Sequence, residues 1–369
     1  MMKIVLAFDK FKGVASSSDL SMAAQSAIRE AYPDAQVDFI PCADGGEGTV
    51  RALSARGATE VEMSVCGPLP DMRVRAAFSS LGCSAVVEMA AASGLALLSA
   101  GRRDVMRATT LGTGELIRHA ISRLHAEHIT LGIGGTASND CGMGILLALG
   151  FRFLDSEGCE LPPCGESLIK VAKVDDTHVP PMHKSATYHL VTDVRNPLCG
   201  PDGAAQVYAP QKGATPEQVR QLEEGACHFA KFMPEGVADA PGAGAGGGTA
   251  AGLMAFLGAR VLPGAEAVLR AYDFDHLIAD ADLVITGEGR IDASTSFGKV
   301  PYAVAKACRT QGVPVAALCG ILDGAAPEVF TAVRCVNPAP INLQEALQPD
   351  VCLKRVASST VKIIKTILE

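Results

Sequence analysis

The chain has 369 residues, of which 48% are hydrophobic and 20% are charged, and its formal net charge is −8. This composition is typical of a folded globular protein, and the length favours two domains over one. The acidic balance argues against non-specific binding to nucleic acid, and no apolar stretch approaches the roughly 20 residues that span a membrane.

The N-terminal and cysteine patterns bear on location. The run MMKIVLAFDKFKG is apolar only briefly before charge returns, which predicts a strand rather than a signal peptide. The twelve cysteines are scattered without metal-finger spacing, so we expect reduced thiols. The sequence therefore predicts a cytoplasmic protein.

Short apolar runs alternate with segments of helical periodicity along the chain. The pattern predicts buried strands at residues 3–8, 85–90, 128–133, 188–193, 282–287 and 313–320. It predicts helices at residues 18–31, 113–125, 140–150, 216–232 and 300–310. This alternation is typical of an α/β fold whose sheet is largely parallel.

Two breaks suggest how the domains divide. They lie at the segment GPLPDM, residues 67–72, and near residues 270–280. We predict two α/β domains: a discontinuous, Rossmann-like outer domain formed by residues 1–66 and 280–369, and a second α/β domain inserted at residues 67–279. We expect the active site in the cleft between them.

Polar, glycine-containing loops follow several of the predicted strands. They read AFDKFKG, GIGGTASND, TDVRNPLCG and TGEGRIDAS. Ligands of open α/β sheets bind beyond the carboxyl ends of the strands, so we expect these loops to converge on one site.

The glycine patterns leave more than one ligand class open. There is no Walker A motif. Gly132, Gly134 and Ala137, with Asp155 further on, formally match a dinucleotide fingerprint. The run GAGAGGG also fits G-x-G-x-x-G, although a flexible or tight loop explains it equally well. In GIGGTASND, glycine N–H groups and neighbouring hydroxyls predict an anion cradle.

Charged residues beside glycines are the other candidates. Asp44 and Glu47 flank paired glycines, where a helix N-cap is the competing explanation. Asp193 ends a strand beside Arg195, so it is either a salt-bridge partner or a catalytic base. The cations in glycine-rich loops are Lys10, Lys12, Lys212, Arg290 and Lys299.

Taken together, the loops resemble those of the type I glycerate kinases. The matching segments are AFDKFKG, PCADGGEGTV, TTLGTGELI, GIGGTASND, DVRNPLCG, PQKGA, GAGAGGG and TGEGRIDASTSFGK. They follow one another in order over nearly the whole chain. The resemblance implies phosphorylation of D-glycerate with ATP and Mg²⁺, giving 2-phosphoglycerate rather than 3-phosphoglycerate. The chain departs from the family pattern at Phe8, Lys10, Cys141, Met143, Ser294 and Phe297.

This resemblance implies a role for each candidate residue. The predicted catalytic residues are Asp193 as general base, with Lys12 and Arg195 neutralising charge or holding the substrate carboxylate. The predicted nucleotide-binding residues are Gly134, Gly135, Ser138, Asn139, Lys212 and Gly287. The predicted Mg²⁺ ligands are Asp44, Glu47, Glu288 and Asp292.

Two other functions remain open at this point. The fingerprint is compatible with a nucleotide-dependent oxidoreductase, although no histidine lies beside that loop. A non-catalytic protein that binds an organic acid is the other alternative. We expect a small-molecule substrate, no nucleic-acid or membrane partner, and a monomer or homodimer.

Overall fold

The computed structural model describes residues 2–42, 58–292, 295, 299–340 and 342–369. The strands are β1 (Lys3–Phe8), β2 (Gln36–Phe39), β3 (Thr59–Cys66), β4 (Arg73–Leu81), β5 (Ser84–Glu88), β6 (His128–Gly132), β7 (Arg152–Leu154), β8 (Lys173–Asp175), β9 (Thr187–Val191), β10 (Arg260–Leu262), β11 (Leu283–Ile291), β12 (Val315–Leu322) and β13 (Ala332–Cys335). The α-helices are α1 (Ser17–Ala31), α2 (Met89–Ser93), α3 (Leu111–Leu124), α4 (Met143–Ala148), α5 (Pro181–Ser185), α6 (Ala204–Tyr208), α7 (Pro216–Phe229), α8 (Thr249–Leu257), α9 (Gly264–Ala271), α10 (Phe274–Ile278), α11 (Val300–Gln311), α12 (Leu343–Ala346) and α13 (Pro349–Leu368). None of these described helices is both long and apolar enough to cross a membrane.

The chain forms two compact units. The terminal unit comprises Met1–Asp44 and Pro263–Glu369, and the central unit comprises Gly45–Leu262. Each unit has its own main sheet and its own hydrophobic core. The fold is therefore two α/β units, one of them assembled from both chain ends.

The observed boundaries differ from those predicted at residues 66/67 and 279/280. Strand β3 pairs antiparallel with β4 along its whole length, so it belongs to the central unit. The segment GPLPDM is the turn of this hairpin, closed by the Gly67 N–H donating to the Met72 carbonyl at 2.8 Å. At the other end, α9 and α10 pack on α11 in the terminal unit. The sequence did not distinguish the two cases at residues 67–72, because Pro and Gly mark a hairpin turn and a linker equally well.

The main sheet of the terminal unit is fully parallel, with the strand order β13-β12-β11-β1-β2. Numbered within this unit, the order is 2-1-3-4-5, a doubly wound arrangement in which the winding reverses between β1 and β11. Ligands of such sheets bind at the reversal, outside the carboxyl ends of these strands. The topology therefore points to the segments near Phe8 and Gly287.

Both faces of this sheet are covered, which explains the continuous apolar run of β1. Ile4, Leu6 and Phe8 join one hydrophobic core with residues of α1 and α13. Val5 and Ala7 alternate with them and are also fully buried. Such uninterrupted burial is typical of a parallel strand with helices on both sides.

The main sheet of the central unit is mixed, with the order β10-β9-β6-β5-β4-β3. The predicted strands β5, β6 and β9 are parallel to one another, and β10 is parallel to β9. The antiparallel pairs β3–β4 and β4–β5 were not predicted. Strand β3 exposes much of its length at the sheet edge, so it lacks the apolar run that marked the buried strands.

The helix predicted at 140–150 is shorter in the structure. It begins at Met143, because residues 140–142 form a tight turn in which Cys141 and Gly142 have φ values of 50° and 75°. The register of the sheet places the ends of β5, β6 and β9 side by side, at Glu88, Gly132 and Val191. The segments that follow these strands therefore leave one edge of the central sheet.

Candidate functional site

The loop after β6 is held in place by hydrogen bonds. Thr136 Oγ1 donates to the Ser93 carbonyl at 3.2 Å and lies 2.9 Å from Ser138 Oγ. Gly135 has φ +72°, a left-handed conformation that favours glycine. Within the described part of the chain, the N–H groups of Gly134 and Gly135 donate to no backbone carbonyl, and both residues are exposed. Unpaired N–H groups at such a turn form a concave nest that suits an anion.

Asp140 ties this loop to two helices. Its carboxylate is fully buried and accepts the Thr110 N–H at 2.9 Å and the Thr110 hydroxyl at 2.8 Å. It also accepts the N–H groups of Gly142 and Gly144. Burial raises the pKa of Asp140, while these hydrogen bonds oppose the rise. Asp140 therefore fixes the loop against the starts of α3 and α4.

Lys212 lies beside the same loop. It ends a short 3-10 turn, Pro210–Lys212, and it is 4% exposed. Its Nζ donates to the Ser138 carbonyl at 2.5 Å. Burial lowers the pKa of Lys212 to about 8, although the negative charge of Asp140 acts in the opposite direction. A buried amino group thus stands next to the predicted anion cradle.

Asn139 is the least satisfied polar residue of this loop. Its side chain is fully buried, yet neither Oδ1 nor Nδ2 has a hydrogen-bond partner among the described residues. A buried polar group left unpaired costs about 1–3 kcal/mol. A ligand that supplies the missing partners would account for keeping such a residue here.

The glycine-rich turn at residues 242–248 packs behind these loops. A Cβ on Gly247 would lie 2.2 Å from the Ser138 carbonyl oxygen, and one on Gly244 would lie 2.3 Å from the Pro197 carbonyl oxygen. Apart from the half-buried Gly246, the residues of this turn are buried. Close backbone packing therefore explains these glycines, and the turn is tight rather than open.

Asp193 and Arg195 lie in the segment after β9, and both are exposed. The segment is anchored by Asn196. Its carbonyl accepts the Gly244 N–H at 2.9 Å, and its amide oxygen accepts the Tyr208 hydroxyl at 2.7 Å. Since the ends of β6 and β9 are paired in register, this segment and the loop after β6 leave the same edge of the sheet.

The dinucleotide fingerprint lacks the geometry that it requires. Asp155 follows β7, which pairs antiparallel with β8 in a separate ribbon rather than with β6. Its carboxylate accepts the N–H groups of Glu157 and Cys159 in a turn. A ribose-binding acid would have to end the next parallel strand of the same sheet.

The terminal unit brings Lys12 and Gly287 to the point where its winding reverses. Phe8 pairs with Gly287, and the Asp9 N–H donates to the Gly287 carbonyl at 2.9 Å. Lys12 is exposed, and its backbone nitrogen would lie 3.7 Å from a Cβ on Gly289. Asp9 itself is buried. An acid and an exposed cation thus occur together at one edge of this sheet.

Glu288 is a buried carboxylate whose charge is already balanced. It is 5% exposed and accepts the Thr295 hydroxyl at 2.6 Å. The Lys299 ammonium group lies 3.0 Å from its second oxygen. Asp292 follows the end of β11 and lies 3.5 Å from the Arg290 guanidinium group. The two other predicted Mg²⁺ ligands, Asp44 and Glu47, lie outside the described residues.

One acid near the site was not predicted. Glu88 ends β5 in register with Gly132 and is half-buried. Its position after the apolar run AVV was a usable signal, because acids at strand ends marked the other candidates. The predicted residues of the central unit that share its sheet edge or contact the loop there are Asp193, Arg195, Gly134, Gly135, Ser138, Asn139 and Lys212. Those of the terminal unit are Lys12, Gly287, Glu288 and Asp292.

Known proteins match nearly the whole chain. The sequence profile of the Glycerate kinase family matches residues 4–365. A glycerate kinase from Halalkalibacterium halodurans is 41% identical over 99% of both chains. The glycerate 2-kinase of Escherichia coli K12 is 42% identical over 87% of this chain and 86% of its own. A crystal structure assigned as glycerate kinase 2 from Salmonella typhimurium LT2 superposes with a TM-score of 0.85 at 40% identity, covering 99% of this chain and 98% of that one. The chain therefore belongs to the glycerate kinase family of phosphotransferases.

Proposed function

We propose that this protein transfers the γ-phosphoryl group of ATP to D-glycerate, with 2-phosphoglycerate as product and Mg²⁺ as the required cation. Family membership supports the reaction class. The observation that carries the proposal is the loop after β6, where unpaired N–H groups, a buried amino group and an unpartnered amide occur together. The product and the residue roles are the parts that need testing.

The nucleotide phosphates are assigned to the loop after β6. In this proposal the N–H groups of Gly134 and Gly135 donate to phosphate oxygens, and Lys212 supplies positive charge from behind the loop. Ser138 and Asn139 complete the set of polar groups. Gly287 is the proposed nucleotide contact in the terminal unit, where a Cβ would lie 2.3 Å from the Leu318 carbonyl oxygen and only glycine fits.

The acceptor substrate is assigned to charged residues that follow strands. Arg195 can hold the glycerate carboxylate with two parallel hydrogen bonds. Asp193 takes the proton of the reacting hydroxyl as that oxygen attacks the γ-phosphorus. Lys12 offsets negative charge that develops on the transferred group. Phosphoryl transfer needs positioning and charge neutralisation more than covalent catalysis, and this set of residues supplies both.

The proposed Mg²⁺ ligands are all carboxylates, which suits a cation that prefers oxygen. Asp292 fits best among the described residues, because it follows a strand end and its side chain is 27% exposed. Glu288 fits less directly, since Lys299 already balances its charge. Asp44 and Glu47 remain proposed ligands outside the described residues. When bound, Mg²⁺ would neutralise phosphate charge.

The test is a turnover assay with product analysis. Purified protein is mixed with ATP, Mg²⁺ and D-glycerate, ADP release is followed, and phosphorus NMR identifies the ester. We expect turnover that depends on D-glycerate, stops with excess EDTA and yields 2-phosphoglycerate. L-glycerate and D-lactate are matched controls, because each changes one feature of the acceptor. ADP release that did not depend on D-glycerate would contradict the proposal. Formation of 3-phosphoglycerate would contradict only the proposed product.

A further inference from the structure

A second group of metal-ligating side chains lies in the central unit and has no role in the proposed reaction. Cys199, Glu223 and Cys227 each offer a ligand atom, and these atoms all lie within 4.8 Å of one another. We call these three residues the thiol–carboxylate cluster. Cys227 is exposed, whereas Cys199 and Glu223 are half-buried.

The geometry of this cluster follows from one helix and one loop. Glu223 and Cys227 are four residues apart on α7, so their side chains share one face of the helix. The Cys227 thiol lies 3.5 Å from Glu223 Oε1. Cys199 comes from the loop that continues from Asp193. Helical zinc motifs use the same arrangement: two ligands lie at positions i and i+4 of one helix, and a third ligand comes from another segment.

Glu223 supplies an independent observation that points to a ligand. The Gly200 N–H donates to its Oε1 at 2.6 Å and orients the carboxylate. Its Oε2 is buried and has no hydrogen-bond partner in the described part of the chain. A buried carboxylate oxygen without a donor is costly, and a bound cation would remove that cost.

Half-buried and buried sulfur atoms lie in and beside the cluster. Burial raises the pKa of the Cys199 thiol, and Cys227 and Glu223 add to the rise. Burial also raises the pKa of the Cys141 thiol, with contributions from Asp140, Cys227 and Glu223. Cys141, from the loop after β6, is close enough for its charge to interact with the cluster.

We propose that Cys199, Glu223 and Cys227 bind one Zn²⁺ ion. Two thiols and a carboxylate match the ligand preference of Zn²⁺, which takes four ligands and here keeps one position for water or another side chain. On binding, each cysteine thiol releases its proton to solvent and its sulfur coordinates the metal, with no change in oxidation state. The exposed Cys227 provides the entry path. The bound ion links the loop that carries Asp193 to α7.

The experiment uses the full-length protein, reduced, stripped of metal with a chelator and desalted. Co²⁺ titration is followed by thiolate-to-cobalt charge-transfer absorption, and Zn²⁺ affinity is measured by competition with a chromogenic chelator. We expect one ion per chain, proton release on binding and weaker affinity as the pH falls. Zn²⁺ should also raise the thermal unfolding temperature, because it binds the folded state.

Matched variants decide which residues bind the ion. Cys227→Ser and Cys199→Ser should lose the charge-transfer band and weaken Zn²⁺ binding by at least about 10-fold. Glu223→Gln should weaken binding while it keeps the thiolate band. Cys159→Ser and Cys83→Ser replace exposed thiols elsewhere and should bind as the parent does. Cys83 is the essential control, because with Glu127 and His128 it forms the other ligand group found among the described residues.

Three results would overturn the inference. The first is the absence of a thiolate band in the reduced parent protein. The second is equal Zn²⁺ affinity in the parent and in Cys227→Ser, whose exposed position makes it the variant least disturbing to folding. The third is loss of binding in Cys83→Ser alone, which would move the metal to the other group. None of these measurements depends on kinase activity, so failure of the proposed function would be distinguishable.

Discussion

The Nζ atom of Lys212 lies 2.5 Å from the carbonyl oxygen of Ser138, which places a buried amino group directly behind the loop after β6. The two residues belong to different elements of the central unit, and neither predicts the other in the sequence. Burial lowers the pKa of Lys212 to about 8, so this group changes charge just above neutral pH. The electrostatics of the proposed phosphate site should therefore depend on pH.

Catalysis should lose efficiency as Lys212 loses its proton. We expect kcat/KM for ATP to fall as the pH rises through about 8, because kcat/KM reports the ionisation of the free enzyme. Lys212→Met should have a low kcat/KM at every pH and lack this fall, whereas the exposed Lys170→Met should behave as the parent does. Steady-state kinetics between about pH 6.5 and about pH 9.5 make the comparison. If Lys212→Met had the same pH profile of kcat/KM as the parent, Lys212 would have no role in phosphate binding.

The stability of the fold should also depend on the protonation of Lys212, but it should rise with pH where catalysis falls. The pKa of Lys212 is lowered from its ordinary value of 10.5 to about 8 in the folded state, so the unfolded state binds more protons between these two values. The free energy of unfolding should therefore rise with pH across that window, by an amount on the order of 3 kcal/mol or less. Urea unfolding of the parent and of Lys212→Met, compared as a difference at each pH, measures this contribution. A constant difference would contradict the prediction.

Asp193→Asn should fold normally and lose turnover. The substitution keeps the size of the side chain but removes the proposed base, so we expect kcat to fall by about 100- to 1000-fold, or about 3–4 kcal/mol. Asp239→Asn is the matched control, since Asp239 is also an exposed aspartate of the central unit. Thermal unfolding establishes that both variants are folded. Turnover of Asp193→Asn close to that of the control would exclude Asp193 as the base.

Asn139→Leu should separate stability from function. The substitution removes two buried polar atoms that have no partner among the described residues, so we expect unchanged or higher stability, by up to about 3 kcal/mol. At the same time, kcat/KM for ATP should fall by at least about 10-fold, because a hydrogen bond to a charged ligand is lost. Asn196→Leu is the contrast: its amide donates to the Asp202 carbonyl at 2.8 Å and accepts the Tyr208 hydroxyl, so that variant should be destabilised. Lower stability of Asn139→Leu with normal kinetics would reverse the interpretation.

Gly247→Ala should disturb the loop after β6 from behind. Gly247 has φ +67°, and the added Cβ would lie 2.2 Å from the Ser138 carbonyl oxygen, which is the acceptor of Lys212. Gly236→Ala is the matched control, because Gly236 has φ +82° with no atom near its Cβ position. The control carries only the backbone cost of about 1–2 kcal/mol, whereas Gly247→Ala adds a steric cost of about 1–3 kcal/mol and lowers kcat. Equal unfolding temperatures and equal kcat values for Gly247→Ala and Gly236→Ala would show that packing of this turn does not hold the loop after β6 in place.

Local patterns in the chain were enough to predict the α/β class, the buried parallel strands and the polar segments that follow them. Strands such as β1 can be recognised in the sequence, because a parallel strand covered on both faces is apolar at nearly every position. The glycines and hydroxyls of the loop after β6 predicted an anion cradle, and the role of these residues stays a prediction. The ordered series of such loops carried the resemblance to the glycerate kinases, and the match to known proteins confirmed that family.

Only the tertiary structure determined which residues lie next to one another in the candidate site. The burial of Lys212, the unpartnered amide of Asn139 and the packing of Gly247 on Ser138 all depend on segments that are distant in sequence. The edge strand β3 escaped prediction because it exposes much of its length and so lacks an apolar run. The segment at residues 67–72 proved to be a hairpin turn, which shares its composition with a linker. The thiol–carboxylate cluster was hidden for a similar reason: its two cysteines reach one place through a loop and a helix, with no spacing motif to mark them. Periodicity is a local property of the chain, whereas burial and charge balance are set by what the rest of the fold brings near.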